Sequence, residues 1–243
     1  VFAHVHDLDG LVEGVKIILE DDGFFAIESP YLADLLEKNE FDTIYHEHLS
    51  YLSLKPLIVF FKRHGMTVID VKRTQIHGGS IRLYVKKDQL NLKQKKSVQN
   101  LMKFEEKKGI HSFEIFERFS DNVMKLKKEA VLLFKKLKQQ GKTIAGYGAS
   151  AKGNTLLNYF DLKNDTISFI VDKNPLKQGL YTPGTHIKVL PASKLVEEKP
   201  DYVLLLAWNF KEEIIKQQKE YSALGGKFIV PVPWPKILQG KKK

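Results

Sequence analysis

The chain has 243 residues, 43% of them apolar, and carries 39 basic against 29 acidic side chains for a net charge of +10. That apolar share excludes disorder throughout, and the absence of Cys excludes disulfides, thiolate nucleophiles and Cys-held zinc. The basic excess is Lys; the arginines are Arg63, Arg73, Arg82 and Arg118, a poor supply of the forked donors that read bases and phosphates, so no nucleic-acid partner is expected.

A Lys-rich solvated surface still creates positive potential, which favours an anionic substrate. No apolar run is long enough for a bilayer, and no stretch has the order of a signal peptide. A cytoplasmic protein without a membrane partner is therefore expected. The first residue is Val, and Val1-Phe2-Ala3 reads as mid-strand, so the chain is expected to begin inside a domain.

In chain order, residues 11–19 have helical apolar spacing, Asp21-Asp22-Gly23 makes a turn, and residues 24–28 form a short apolar strand. A short helix over 31–37 follows Pro30, then an irregular polar and aromatic segment over 41–53. Residues 54–64 repeat as a helix that stops at Gly65. Strands are predicted over 66–72 and 80–86. Residues 87–137 are amphipathic helix in two pieces, broken near Gly109. From Lys142 short apolar strands (143–147, 168–172, 187–190, 202–207, 227–230) alternate with helices (150–159, 195–198, 211–221). That alternation predicts a doubly wound parallel sheet. Three regions follow: 1–90, a helical connector over 91–137, and 138–243.

Three motifs carry candidate chemistry. Tyr45-His46-Glu47-His48 lies in the irregular segment, where the backbone can aim side chains. A His beside a carboxylate is a natural general base; a polar loop whose groups satisfy one another is an equal alternative. The H-x-H pairs His4/His6 and His46/His48 raise a metal reading, but the zinc-protease spacing on a helix is absent, and no metal is expected. His77-Gly78-Gly79-Ser80 is either a tight connection into a strand or a cleft rim presenting His77 and Ser80. Gly146-Tyr147-Gly148-Ala149-Ser150-Ala151-Lys152-Gly153 follows a strand and opens a helix. That is the setting for an anion at free N–H groups of Gly148, Ala149, Ser150 and Ala151, with Lys152 adding charge. The plain alternative is a tight turn with Gly153 packed on the sheet. Asp172 ends the next strand and Lys177 sits in the loop beyond, either beside a ribose or in an ordinary turn.

Taken in order, Phe41-Asp42-Thr43-Ile44-Tyr45-His46-Glu47-His48-Leu49-Ser50-Tyr51, His77–Arg82, the glycine loop at 146–153 and residues 172–179 resemble the C-terminal part of the NDP-hexose C-methyltransferase family. The resemblance covers essentially the whole chain. It implies S-adenosylmethionine as methyl donor and a nucleotide-diphosphate sugar as substrate. It also implies a fold made of the second half of a class I methyltransferase core over 1–90 and a second Rossmann-like domain over 138–243. The family's Tyr-x-Glu-His pattern falls on Tyr45, Glu47 and His48, which makes His48 the base that removes a proton next to a ketone; His4 matches a further active-site histidine. Phe2, Ala3 and Glu28 would stand near the methyl donor. His77, Ser80, Gly148, Ala149, Ser150, Lys152, Asp172 and Lys177 would meet the sugar nucleotide. The family's zinc domain and first half-core, with its adenosine-binding loop, have no counterpart here, so this chain is expected to hold the donor poorly by itself. Two other readings stand beside this one. One is a nucleotide-sugar-binding module without its own catalysis. The other is an NAD-dependent oxidoreductase built on residues 146–153, whose glycine spacing departs from the dinucleotide fingerprint.

Overall fold

A computed structural model describes residues 1–89 and 92–240, apart from the side chain of His77. The boundary expected between residues 90 and 91 and the Lys241-Lys242-Lys243 tail lie outside the described residues. The chain forms two units, one from Val1–Glu40 with His46–Phe119, the other from Phe41–Tyr45 with Ser120–Lys243.

The first unit starts with a 3₁₀ turn at Phe2–His4, not the expected strand. The reason is packing: Phe2 is buried and stacks on Phe61, with Phe25 and Phe60 edge-on to it. Then come α1 (Leu8–Ile18), β1 (Phe25–Pro30), α2 (Leu32–Glu37), α3 (Leu54–Arg63), β2 (Met66–Thr74), β3 (Ser80–Lys87) and α4 (Lys96–Lys108). Asp7 caps α1 through the Gly10 N–H at 2.8 Å. The strands form an antiparallel sheet in the order β1-β3-β2. Alternate β3 residues Ile81, Leu83 and Val85 are fully buried. Leu54, Leu57 and Phe61, three and four apart on α3, cover them together with Val12, Ile27, Met66 and Val98.

The start of α3 shows how this unit is tied together. Ser53 holds the N-cap position but makes no side-chain cap bond. Glu105 of α4, fully buried, does that work from 51 residues away. Its carboxylate accepts from the Leu54 N–H at 2.6 Å, the Lys55 N–H at 3.0 Å and the Tyr31 hydroxyl at 3.0 Å, with His111 Nε2 at 3.1 Å. A negative charge at a helix N-terminus also meets the helix dipole favourably.

After Gly109, left-handed at the end of α4, α5 (Phe113–Gln139) runs on, with its residues from Ser120 in the second unit. That unit continues with β4 (Ile144–Tyr147), α6 (Ala151–Phe160), β5 (Ile170–Val171), β6 (Val189–Leu190), α7 (Lys194–Glu198), β7 (Tyr202–Leu205), α8 (Lys211–Gln217), α9 (Lys219–Ala223), β8 (Lys227–Val230) and β9 (Lys236–Gln239). The sheet order is β6-β5-β4-β7-β8-β9. Five strands are parallel, and β9 runs antiparallel on the β8 edge. β4 and β7 are central and wholly buried, as their unbroken apolar sequence requires. The fold is thus α/β, with a mainly parallel sheet between helices. It differs from expectation in three places. The strand expected over 168–172 is two residues of ladder. The helix over 211–221 breaks at Gln218. β9, short and mostly exposed, follows the proline-rich stretch without a strong strand signal of its own. Among the described residues, no helix is long and apolar enough to cross a membrane.

Candidate active site

In the first unit, the Tyr45–His48 segment is irregular, as expected; Tyr45 belongs to the second unit and His46, Glu47 and His48 to the first. The backbone just after His48 is pinned: the Ala3 carbonyl accepts from the Leu49 N–H at 2.9 Å and the Ser50 N–H at 3.2 Å. Ala3 is held in turn by the buried Phe2 beside it. The consequence is a histidine pair. The His4 and His48 rings lie 4.9 Å apart, centroid to centroid, and Tyr51 stands edge-on to His48 at 6.4 Å. His4 is exposed and His48 half-buried, so the pair is lined by an aromatic wall yet open on the unit's surface. Glu47 is exposed on the same loop.

Phe2, Ala3 and Glu28 each have partners within the first unit. Phe2 is spent in the core, Ala3 supports the loop, and Glu28 pairs across the sheet with Arg82, Nε to Oε2 at 2.9 Å.

The His77–Ser80 motif is built for packing. The buried Glu40 carboxylate lies where a β-carbon on Gly78 would sit, 2.7 Å from Oε1, and the buried Asp34 carboxylate crowds Gly79 in the same way. Asp34 in turn holds Arg73 and Lys38, each at 2.9 Å. Any larger residue would push these carboxylates aside, Asp34 off its two cations. Ser80 is fully buried and donates to the Ile76 carbonyl at 3.0 Å, so its hydroxyl is not on a cleft rim. The His77 side chain is outside the described part.

In the second unit, the glycine loop does join β4 to α6, with Ser150 as N-cap to the Gly153 N–H. Gly148 is left-handed, with φ of +95°, and a β-carbon there would meet Ala207 at 2.9 Å. Three of the four N–H groups expected to be free are already bonded, however. Gly148 donates to the Val171 carbonyl at 2.8 Å, Ser150 to the Gly148 carbonyl at 2.9 Å, and Ala149 to Asp172 Oδ2 at 2.7 Å. Asp172 therefore supplies the anion from within the chain. Its other oxygen accepts from the Asn174 N–H at 2.8 Å, and Lys177 reaches the Ala149 carbonyl at 2.6 Å. Lys152 lies over the Trp208 ring, 4.3 Å from its centroid. Beside this turn, at the carboxyl ends of β4, β5 and β7, a cleft of about 270 Å³ is lined by Tyr147, Asp172, Ala207, Phe210 and Ile214 among others. Open α/β sheets bind ligands at that edge, where strand order reverses. Among the described residues, no group of three or more His, Asp or Glu gathers as a metal site.

Residues 75–233 match the family described as the C-methyltransferase C-terminal domain. The chain belongs to that family. It is also 38% identical over 240 residues to the C-methyltransferase NovU of Streptomyces niveus, an overlap of 99% of this chain and 57% of that protein. The chain thus spans little more than half the length of that C-methyltransferase. The family match includes the whole β4-to-β8 sheet, while the His4–His48 pair lies ahead of it, inside the stretch shared with NovU. Sequence reading missed Glu105, Arg82 as the partner of Glu28, and the bond from Trp208 to Asp42. Each joins residues more than fifty positions apart, and no local spacing announces such a pairing.

Proposed function

We propose that this chain is the C-terminal part of an S-adenosylmethionine-dependent C-methyltransferase acting on a nucleotide-linked keto-deoxysugar, with His48 as the general base. The observation that carries the reading is the His4–His48 pair, 4.9 Å apart on a pinned loop, in a chain 38% identical to a C-methyltransferase along nearly its whole length. A carbon next to a ketone is acidic enough for imidazole to deprotonate when the two are held in line. The proton goes to a ring nitrogen of His48, and the C–H electron pair moves into the enolate. Glu47, on the same loop, orients the imidazole, and His4 supplies a donor for the enolate oxygen. S-adenosylmethionine, when bound, supplies an electrophilic methyl group.

The second unit's strand order, read from β4, is 3-2-1-4-5-6, and a mainly parallel sheet in that order supports a nucleotide in the cleft beside Tyr147 and Phe210. Because the Gly148, Ala149 and Ser150 N–H groups are bonded within the chain, Ala149 to Asp172, the diphosphate has to use other donors, Lys152 and Lys173 among them. The same occupancy weighs against an NAD-dependent oxidoreductase, whose pyrophosphate needs those amides.

The test is His48→Ala in the protein expressed from its complete coding sequence. Turnover of the nucleotide sugar should fall by about 10²- to 10⁴-fold, with sugar-nucleotide affinity in calorimetry within about twofold of wild type. Unchanged turnover would remove His48 as the base.

A further inference from the structure

The second unit alone forms the cleft of about 270 Å³ at the carboxyl ends of its central strands. Pockets that enclose a small ligand run upward from about 300 Å³, so this one has room for part of a sugar nucleotide and not for the whole. Its lining divides in two. Tyr147 and Ile214 are buried and Phe210 is 47% exposed, which gives an apolar floor and one accessible aromatic ring. The rim is polar, with Asp172 and Glu213 set against Lys173. The Lys173 ammonium is already bonded to Gln217 Oε1, and Gln217 Nε2 donates to Glu213 Oε1 at 2.6 Å. Both carboxylates act on the floor. Burial raises the pKa of the Tyr147 hydroxyl, the bond from Gln218 opposes this, and the charges of Asp172 and Glu213 add to the rise. Within a chain of +10, this lining therefore carries more negative charge than positive. A diphosphate has the wrong sign for it. A nucleoside has no charge, offers a flat base to an aromatic ring, and brings N–H and O–H donors. Asp172 already accepts at both oxygens, from the Ala149 and Asn174 N–H groups. Glu213 is better placed to accept: a carboxylate has about four acceptor positions, and the Gln217 bond takes one.

We propose that this cleft is a nucleoside subsite: Phe210 covers the base, Glu213 accepts from an N–H or O–H of the nucleoside, and the diphosphate stays outside the rim. The inference rests on the functional reading given above for placing a nucleotide in this cleft, and adds which end of it enters. Calorimetry on the complete protein tests it with uridine, thymidine, cytidine, adenosine and guanosine, with the diphosphate of whichever binds, and with inorganic pyrophosphate. One nucleoside should bind, with its diphosphate within about tenfold of it and with an affinity that is flat between about 0.05 and 0.5 M NaCl. Pyrophosphate should not displace it. Phe210→Ala should weaken the nucleoside about tenfold, the scale of one lost base stack. Glu213→Gln should weaken it about fivefold, as a charge-assisted bond gives way to a neutral one. Both side chains are exposed, so thermal melting of the variants should match wild type.

Binding of no nucleoside overturns the proposal, and so does displacement of the nucleoside by pyrophosphate. Tighter binding of the nucleoside diphosphate in Glu213→Gln would put the anion inside the cleft and overturn it as well. Wild-type nucleoside affinity in both variants would place the nucleoside elsewhere. Turnover separates the two ideas. If His48→Ala abolishes methylation of the nucleotide sugar while Phe210→Ala and Glu213→Gln bind the nucleoside as wild type does, only the subsite falls. If the nucleoside binds and both variants weaken it, yet the complete protein methylates no nucleotide sugar, the methyl-transfer reading falls and the subsite stands.

Discussion

Glu105 is the clearest case of one side chain holding an element together. Its carboxylate serves two otherwise uncapped N–H groups of α3 and the buried Tyr31 hydroxyl. Desolvation, followed by the nearby negative charge of Glu105, keeps the Tyr31 hydroxyl protonated well above its ordinary range. Replacing Glu105 with Ala strands these buried and part-buried donors, at about 1–3 kcal/mol for each unsatisfied buried group. Glu105→Ala should therefore destabilise the first unit by about 3 kcal/mol or more in urea unfolding. Glu105→Gln, which still presents one acceptor oxygen, should cost less. A loss under about 1 kcal/mol for Ala would mean that Ser53 takes over the cap. Nothing around position 105 in the sequence hints at this. It sits in a run of Glu and Lys that reads as a solvated helix face, and only the approach of α3 turns that face inward.

The contact between α1 and the end of α3 makes a different kind of claim, one about pH. His64 stands between two carboxylates, Nδ1 to Glu13 at 2.6 Å and Nε2 to Asp9 at 2.7 Å, with most of its side chain covered. The bond to Glu13 raises its pKa above the usual histidine value; burial opposes this, and the bond to Asp9 adds to the rise. A raised pKa in the folded state means that protonated His64 stabilises the fold. That contribution is complete below the unfolded histidine value of about 6.5 and fades as pH climbs through the folded value. Glu13 shifts the other way, lowered chiefly by its bond to His64, so its share disappears as pH falls through its own depressed range. The difference in melting temperature between wild type and His64→Gln should thus be largest near pH 6 and shrink as pH rises through 7 and 8 (about one to two units above the unperturbed histidine value). A constant difference from pH 5 to 9 would show that the ring acts by packing alone.

Elements of this kind were the legible part of the sequence. The turn at Gly65, the break near Gly109, the start of α6 at Ser150 and the buried β7 all follow from local rules of capping and apolar spacing. What was not legible needed distant partners. Phe2 forms a turn because Phe61 takes it, and Asp172 turns into the glycine loop because the Ala149 N–H is within reach. The candidate site divides along the same line. The Tyr45–His48 loop is visible as an unusual cluster, but the approach of His4 to His48 depends on the Ala3 carbonyl 46 residues before Leu49.

The whole chain carries +10, nearly all of its cations being Lys spread along helices. The internal carboxylates that matter most are already matched: Asp34 by Arg73 and Lys38, Asp70 by Lys95, and Asp201 by Lys142. The excess is therefore left to act outward, as a field over the surface and not as a set of bonds. Such a field favours the approach of any anion, and salt screens it over about 8–10 Å at 0.1–0.15 M and about 3 Å at 1 M. If the substrate is an anionic sugar nucleotide, its apparent KM should rise several-fold between about 0.05 and 0.5 M NaCl, with kcat nearly constant, because the chemistry at His48 involves no distant charge. An uncharged sugar analogue should show a flat KM over the same range. A salt-independent KM for the nucleotide sugar would mean that the basic surface plays no part in capture. Recognition would then rest on short-range contacts in the cleft beside Tyr147 and Phe210.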